Sequence, residues 1–404
     1  MSGTFYFFQP ILATDRSWVA LDWCSSQAVE KESQQLIRCF TEAKATPLAN
    51  MLPLVTRIDP ALLEQTAFID EFEPRQLIFI LPEESLENSV TMARCKALRA
   101  QGNRLGMQLE STQRLRQIPL AAFDHLQIDA ALARKQLSAA DISYANDAGF
   151  RKIASNVSSH EVFGWLAENK FDWSNGRFLS VRNPNARKEP DLARLKLLKL
   201  LNLVKQDGDT REIEAIFREE PKLAFNLLRL VNSVAVGART KISNFSQAIA
   251  ILGRRQLQRW LQLLIYADNL AEANTPNPLM QLAAARGRQM ELLSAVIKHQ
   301  DSTPELTDNA FITGLFSLLD VLINMPMDEI LKELPVHDEI AEALSAERGG
   351  ILGRILAAVI AGESGNYAAA EATFSELSIS PPTHSRAQVQ ALYWANRINI
   401  ENSD

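Results

Sequence analysis

The 404-residue chain has only three cysteines, Cys24, Cys39 and Cys95, and their wide spacing matches no zinc or disulfide framework, so a reducing compartment is expected. Its 16 glycines form no Gly-rich dinucleotide fingerprint, no Walker loop and no Gly-x-Ser-x-Gly elbow, which sets aside three large enzyme classes. Basic charge is not in surplus either. With 42 Lys and Arg against 48 Asp and Glu, the net charge of −6 gives no general field for attracting nucleic acid. The apolar stretches at 260–267 and 351–362 are shorter than the about 20 residues of a bilayer span, and the second contains Arg354. The first residues lack a basic lead and a small-residue cleavage site, so no signal peptide is expected. A cytoplasmic chain with no membrane span follows as the expectation.

What is present is ample core material: 47% of residues are hydrophobic and 22% charged, enough at about 150 residues per domain for two or three domains. In the first 180 residues, short β-rich runs at 5–11, 67–70, 76–81, 104–109, 125–128 and 152–157 are bounded by Pro, Asp, Glu or Gly. They alternate with helical stretches such as 86–101, where Leu86, Val90, Met92, Ala93 and Leu98 form an apolar stripe. That rhythm predicts parallel βαβ units. Residues 181–190, with two prolines and two asparagines, read as a linker. Beyond it the leucine-dense 191–204 and 223–236, then 246–251, 256–269, 278–299, 309–322 and 327–331, all carry helical spacing. The predicted layout is an α/β domain at 1–180, a linker at 181–190 and an all-α domain at 191–404.

The second domain resembles a known family. Glu220-Pro221, the run Leu227 to Ser233, Ser246-Gln247-Ala248-Ile249 and Leu252-Gly253 resemble the signature of the HDOD domain, in that family's order. The likeness extends through residues 316–320 and 325–327. The resemblance implies an all-helical fold related to HD phosphohydrolases but without their metal-binding residues. Physically, the motif positions read as structural. Pro221 suits a first helical position, Asn232 and Ser233 can bond freed backbone, and Gly253 suits a left-handed helix end. Gln247 belongs to the same structural set.

His337-Asp338 spells the metal-binding HD dyad, but His125, His160, His299 and His384 are scattered, and one adjacent pair supplies too few donors for a metal. The dyad reads as a chance pair at a helix start, where Asp338 and Glu339 suit the first turn. Arg254, Arg255 and Arg259, near Trp260, are the candidates for contact with an acidic partner or nucleic acid; on a helix they would more often form a solvated face.

The first domain also acquires a relative. Gln9-Pro10-Ile11, the strand at 104–109, Leu126-Gln127-Ile128-Asp129, the stretch 153–158 and Asn175-Gly176 resemble successive blocks of EAL domains. Those are (β/α) barrels that hydrolyse cyclic di-GMP with two divalent metals. A degenerate EAL domain followed by HDOD is itself a known family, and this chain has that arrangement. At about 180 residues the barrel is short of the about 250 typical of the fold, so the expectation is a barrel with some elements either missing or curtailed.

Carried over position by position, the resemblance leaves the catalytic set depleted. Val19-Ala20-Leu21 stand at the signature glutamate, Ile80 at a metal glutamate and Gln108-Leu109 at the aspartate pair. Gln127 stands at the catalytic lysine, Ser155 and Ser158 at later glutamates, and Asp70 at the strand asparagine, with Asp129 alone retained. Two-metal hydrolysis needs carboxylates at several strand ends. The expectation is therefore no catalysis, no metal and no cofactor: a non-enzymatic signalling or scaffold protein working through unknown signalling partners or as a homodimer, nucleic acid not among them. The competing reading is a barrel that binds cyclic di-GMP without cleaving it.

Overall fold

A computed structural model describes residues 3–27, 29–183, 259, 262–263, 278–297, 304–333 and 336–397. The chain divides into two compact units, one of Met1–Val181 with Ala358–Gln390, the other of Arg182–Ala357 with Ala391–Asp404.

The first unit is built on a closed barrel of eight strands in sequence order. They are β1 (Tyr6–Ala13), β2 (Trp18–Ser25), β3 (Leu54–Arg57), β4 (Leu77–Leu81), β5 (Arg104–Leu109), β6 (His125–Asp129), β7 (Arg151–Ser155) and β8 (Trp173–Asn175). β1 runs antiparallel to both neighbours, and β2 to β8 are parallel. Ile11, Ala20, Val55, Ile78, Ile80, Ile153 and Trp173, from six strands, pack into one cluster, the lumen of the barrel. Strand alternation then carries every second residue inward with them. Gly106 shows how tight the lumen is: a Cβ there would lie 2.5 Å from Ile80 Cδ1 and 2.9 Å from His125 Cβ.

The barrel has all eight strands, and what is curtailed is the connections between them. It is short because its connections are short: α1 (Ser33–Ala43), α2 (Thr46–Met51), α3 (Thr66–Ile69), α4 (Ser89–Ala100), α5 (Ala130–Gln136), α6 (Ala139–Asp147) and α7 (His160–Glu168), with 3-10 turns at Pro60–Glu64, Glu83–Glu87 and Thr112–Gln117. Local chemistry starts them. Asn88 caps α4 through the amides of Val90 and Thr91, and Ser138 with Asp141 forms a capping box on α6. The strand at 104–109 has its predicted limits. The run at 67–70 does not: it lies in α3 and its cap, and the third strand is β3.

The described helices that follow are α8 (Pro278–Ser294), α9 (Pro304–Phe316), α10 (Leu319–Ile323), α11 (Met327–Glu333), α12 (Asp338–Leu344), α13 (Gly350–Glu363), α14 (Tyr367–Glu376) and α15 (Pro381–Arg397). In the second unit α8 and α9 cross at two glycines. A Cβ on Gly287 would lie 2.8 Å from the Phe311 carbonyl oxygen, and one on Gly314 2.7 Å from Gly287 Cα. Only residues without side chains allow backbones that close. The stretch Glu305–Ile323 is, among the described residues, long and apolar enough to cross a membrane, with mean hydropathy 1.5; 56% of it is buried inside the fold, as in a core helix.

The helical domain expected over 191–404 is divided. Ala358–Gln390 belongs to the barrel unit, where Phe5 and Phe7 of the N-terminal segment pack on Tyr367, Phe374 and His384. The expected linker residues from 184 to 190 lie outside the described residues.

Candidate functional site at the barrel mouth

Because β1 is antiparallel, its first residues lie beside the carboxyl ends of the other strands, with Tyr6 opposite Ser25. That end of a (β/α) barrel is where such folds place ligands. The inward residues there follow from register. Gln9 pairs with Asp22 and Phe7 with Cys24, on the face of Ile11 and Ala20; Arg57 follows Val55 and pairs with Ile80; Gln108 pairs with Gln127, and Asp129 with Ser155.

The EAL-like positions can now be placed. Val19 packs beside the lumen cluster, and Ile80 is wholly buried in it. Gln108 and Gln127 face inward, while Leu109 turns to the outer side. The Ser155 hydroxyl donates to the Ile128 carbonyl at 3.4 Å, and Ser158 is exposed beyond β7. Asp70 is not on a strand but follows α3.

The sequence reading missed two inward residues. Asp22, three positions beyond Val19, is a buried lumen carboxylate, and Arg57 lies 3.4 Å from it. Asp22 holds the guanidinium of Arg57 above its ordinary pKa. The signal available was a lone Asp in an otherwise apolar strand, Trp18 to Cys24, with a lone Arg closing a second apolar strand.

Four carboxylates near the mouth, Asp22, Glu30, Glu83 and Asp129, are already engaged. Asp22 faces Arg57. Glu83, just beyond β4, accepts from the amides of Glu110 at 2.7 Å and Ser111 at 3.0 Å and lies 3.4 Å from Arg114. Glu30 accepts from the Ser25 hydroxyl and, at 3.0 Å, from that of Tyr6. Asp129 caps α5 through the amides of Ala131 and Leu132, and its other oxygen accepts from Asn156 at 2.8 Å. A pair of divalent ions requires several carboxylate oxygens converging on each. Among the described residues no three His, Cys, Asp or Glu side chains converge, so these donors do not fit such a pair.

Of the helical candidates, Glu220, Pro221, Asn232, Ser233, Gln247, Gly253, Arg254 and Arg255 lie outside the described residues. Arg259 pairs with Glu291 and, at 3.2 Å, with Asp308, and its guanidinium stacks 4.9 Å over the Phe311 ring. Those partners hold it within the helical unit rather than on a free basic face. His337 occupies the N-cap position of α12, with Asp338 and Glu339 in the first turn.

The HDOD domain family matches residues 192–345. Among curated proteins, the uncharacterized protein YuxH of Bacillus subtilis (strain 168) is 24% identical over 282 residues, covering 68% of this chain and 67% of that protein. The cyclic di-GMP phosphodiesterase CdgJ of Vibrio cholerae (serotype O1, El Tor Inaba N16961) is 25% identical over 250 residues, 62% of this chain and 56% of CdgJ. The match thus spans little more than half the length of CdgJ. Among solved structures, an EAL domain protein from Listeria monocytogenes EGD-e aligns over 44% of this chain and 87% of its own, at 14% identity and a TM-score of 0.35. The chain therefore carries an HDOD domain at residues 192–345, which follows the closed barrel in sequence.

Proposed function

We propose that the chain is a non-enzymatic protein of bacterial cyclic di-GMP signalling that acts by contacts with other signalling proteins. The observation that carries this is the state of the mouth carboxylates. Asp22 is neutralised by Arg57, Glu83 is tied to loop amides, and Asp129 is spent on capping α5. Metal-assisted phosphodiester hydrolysis needs ions to hold both the attacking water and the leaving oxygen, and carboxylates engaged in this way supply neither. The place in cyclic di-GMP signalling is supported by the likeness to CdgJ, whose name gives it a phosphodiesterase activity.

The test is an assay of the purified full chain with cyclic di-GMP and Mg²⁺ or Mn²⁺, next to affinity capture from the native cell. No turnover above background, with a reproducible partner or a stable homodimer, is the expected result. Turnover abolished by Asp129→Asn or Asp22→Asn would overturn the reading. Calorimetric binding of cyclic di-GMP without turnover would instead favour a receptor barrel.

A further inference from the structure

The segment that follows the HDOD match returns to the barrel unit and sits on the mouth. At the end of α13 the carbonyl of Gly362 accepts from Gln9 Nε2 at 2.9 Å. The same amide lies 3.1 Å from the hydroxyl of Tyr367, the first residue of α14, and that hydroxyl lies 2.9 Å from Cys24 Sγ. The ring of Phe7 stacks on Tyr367, centroids 4.8 Å apart. Gln9, Cys24 and Phe7 all belong to the lumen-facing side at the carboxyl ends of the strands, so the Gly362–Tyr367 turn covers the entrance from above.

The fit is close. A Cβ on Gly362 would lie 2.8 Å from the Phe7 ring, and one on Gly365 would run into the guanidinium of Arg177; Gly365 also holds a φ of +78°. Gly362 needs glycine for its approach to the Phe7 ring, and Gly365 for its backbone conformation. Under this turn Gln9, Asp22 and Cys24 are 7%, 4% and 5% exposed.

We propose that the Gly362–Tyr367 turn is an intramolecular plug: a piece of the chain itself that occupies the barrel mouth and keeps outside molecules from the polar layer of Gln9, Asp22, Cys24 and Arg57. The plug is held by two side chains, Gln9 and Cys24, and one ring stack, contacts that can part without taking apart the barrel wall. It makes access to the barrel dependent on the helices that carry the turn, α13 and α14.

Cys24 reports on the plug. In the full-length chain, N-ethylmaleimide labelling at neutral pH, mapped by peptide mass spectrometry, should leave Cys24 unmodified while the chain is native. Tyr367→Ala removes the hydroxyl and the stack, and Gly362→Leu drives a side chain into Phe7. Both should raise Cys24 labelling roughly tenfold or more, as expected of a local opening. Cys39, which contacts Ser385 at 3.7 Å in the same segment, should follow in part. Cys95, wholly buried on α4, should remain protected and shows that the barrel is intact. Unchanged Cys24 protection in both variants would mean that the barrel wall alone buries it, and the proposal fails. Labelling of Cys95 in step with Cys24 would make the turn inseparable core rather than a plug, and would equally overturn it.

Discussion

Gln388 closes the free edge of β1 at Phe8. Its side-chain oxygen accepts from the Phe8 amide at 3.0 Å, and its Nε2 donates to the Phe8 carbonyl at 3.2 Å. β1 pairs with β8 only from Ile11 to Ala13, so above that point its outer backbone groups have no strand beside them. A glutamine amide has one donor and one acceptor side and can satisfy a strand residue as a neighbouring strand would. Pro10, on the same edge, needs no donor partner, which fits proline's restriction to strand edges.

Replacing Gln388 with Leu is therefore expected to leave the two backbone groups of Phe8 buried and unpaired, at about 1–3 kcal/mol for each unsatisfied group. Equilibrium denaturation of the full chain, followed by tryptophan fluorescence, measures this. A variant as stable as the parent would show that solvent reaches the edge.

Arg57 and Asp22 give a second prediction. Asp22 is almost wholly buried while Arg57 keeps a quarter of its side chain accessible, so solvent screens the pair in part. Arg57→Met is expected to destabilise the barrel by about 1–3 kcal/mol, below the loss for a fully buried pair, because it strands the Asp22 charge in the lumen. The double variant Arg57→Met with Asp22→Asn should recover part of the loss, and a thermodynamic cycle over the four proteins reads the coupling. Independent, additive losses would mean that the two groups do not interact.

Much of this was legible in the sequence, and the failures have physical reasons. The strand at 104–109 stands out because Gly102-Asn103 and Glu110 bound a short apolar run. Residues 67–69, Ala-Phe-Ile, are apolar but too few to display a period, so a helical turn and a strand read alike. β3 hides between Pro53 and the charged Arg57, which looks like a strand's polar boundary but faces the lumen. Asp22 was overlooked for the same reason: a charge between Leu21 and Trp23 suggests the outside, and only its pairing with Arg57 makes the inside tolerable. The return of 358–390 to the barrel unit could not be read at all, since its bonds to Gln9 and Phe8 join residues more than 350 positions apart. The described helices from Pro278 onward were legible because their apolar residues recur at helical spacing.

Gly106 offers a test of packing inside the lumen. Gly106→Ala would put a methyl group 2.5 Å from Ile80 Cδ1, 2.9 Å from His125 Cβ and 3.2 Å from the His125 carbonyl oxygen. The isoleucine can turn away but the neighbouring strand cannot, so the substitution should cost about 1–3 kcal/mol as overpacking. The double variant Gly106→Ala with Ile80→Val should recover some of this. A parent-like melting temperature for the single variant would show that the strands can part by several tenths of an ångström.

His384 gives the pH dependence. It lies on α15, 1% exposed, with its ring 4.6, 4.9 and 5.8 Å from those of Phe374, Phe7 and Phe5. Burial pushes its pKa down to about 3, against a smaller opposing effect of the Tyr6 backbone, so the folded chain holds the ring neutral. In the unfolded chain the same ring titrates at about 6.5. Between those values the unfolded state binds the additional proton. The stability due to the neutral ring is thus fully present above about pH 6.5 and is lost as pH falls toward 3, at up to about 1.4 kcal/mol per pH unit. Carboxylates titrate over part of this range, but they do so in parent and variant alike, so the difference between the two isolates the imidazole. Denaturant unfolding of the parent and of His384→Phe at pH 7, 6 and 5 is the measurement. The parent should lose stability more steeply than the variant by about 1 kcal/mol per pH unit below 6. Parallel curves would mean that the ring takes up a proton in the folded state, which an aromatic cage closed around it forbids.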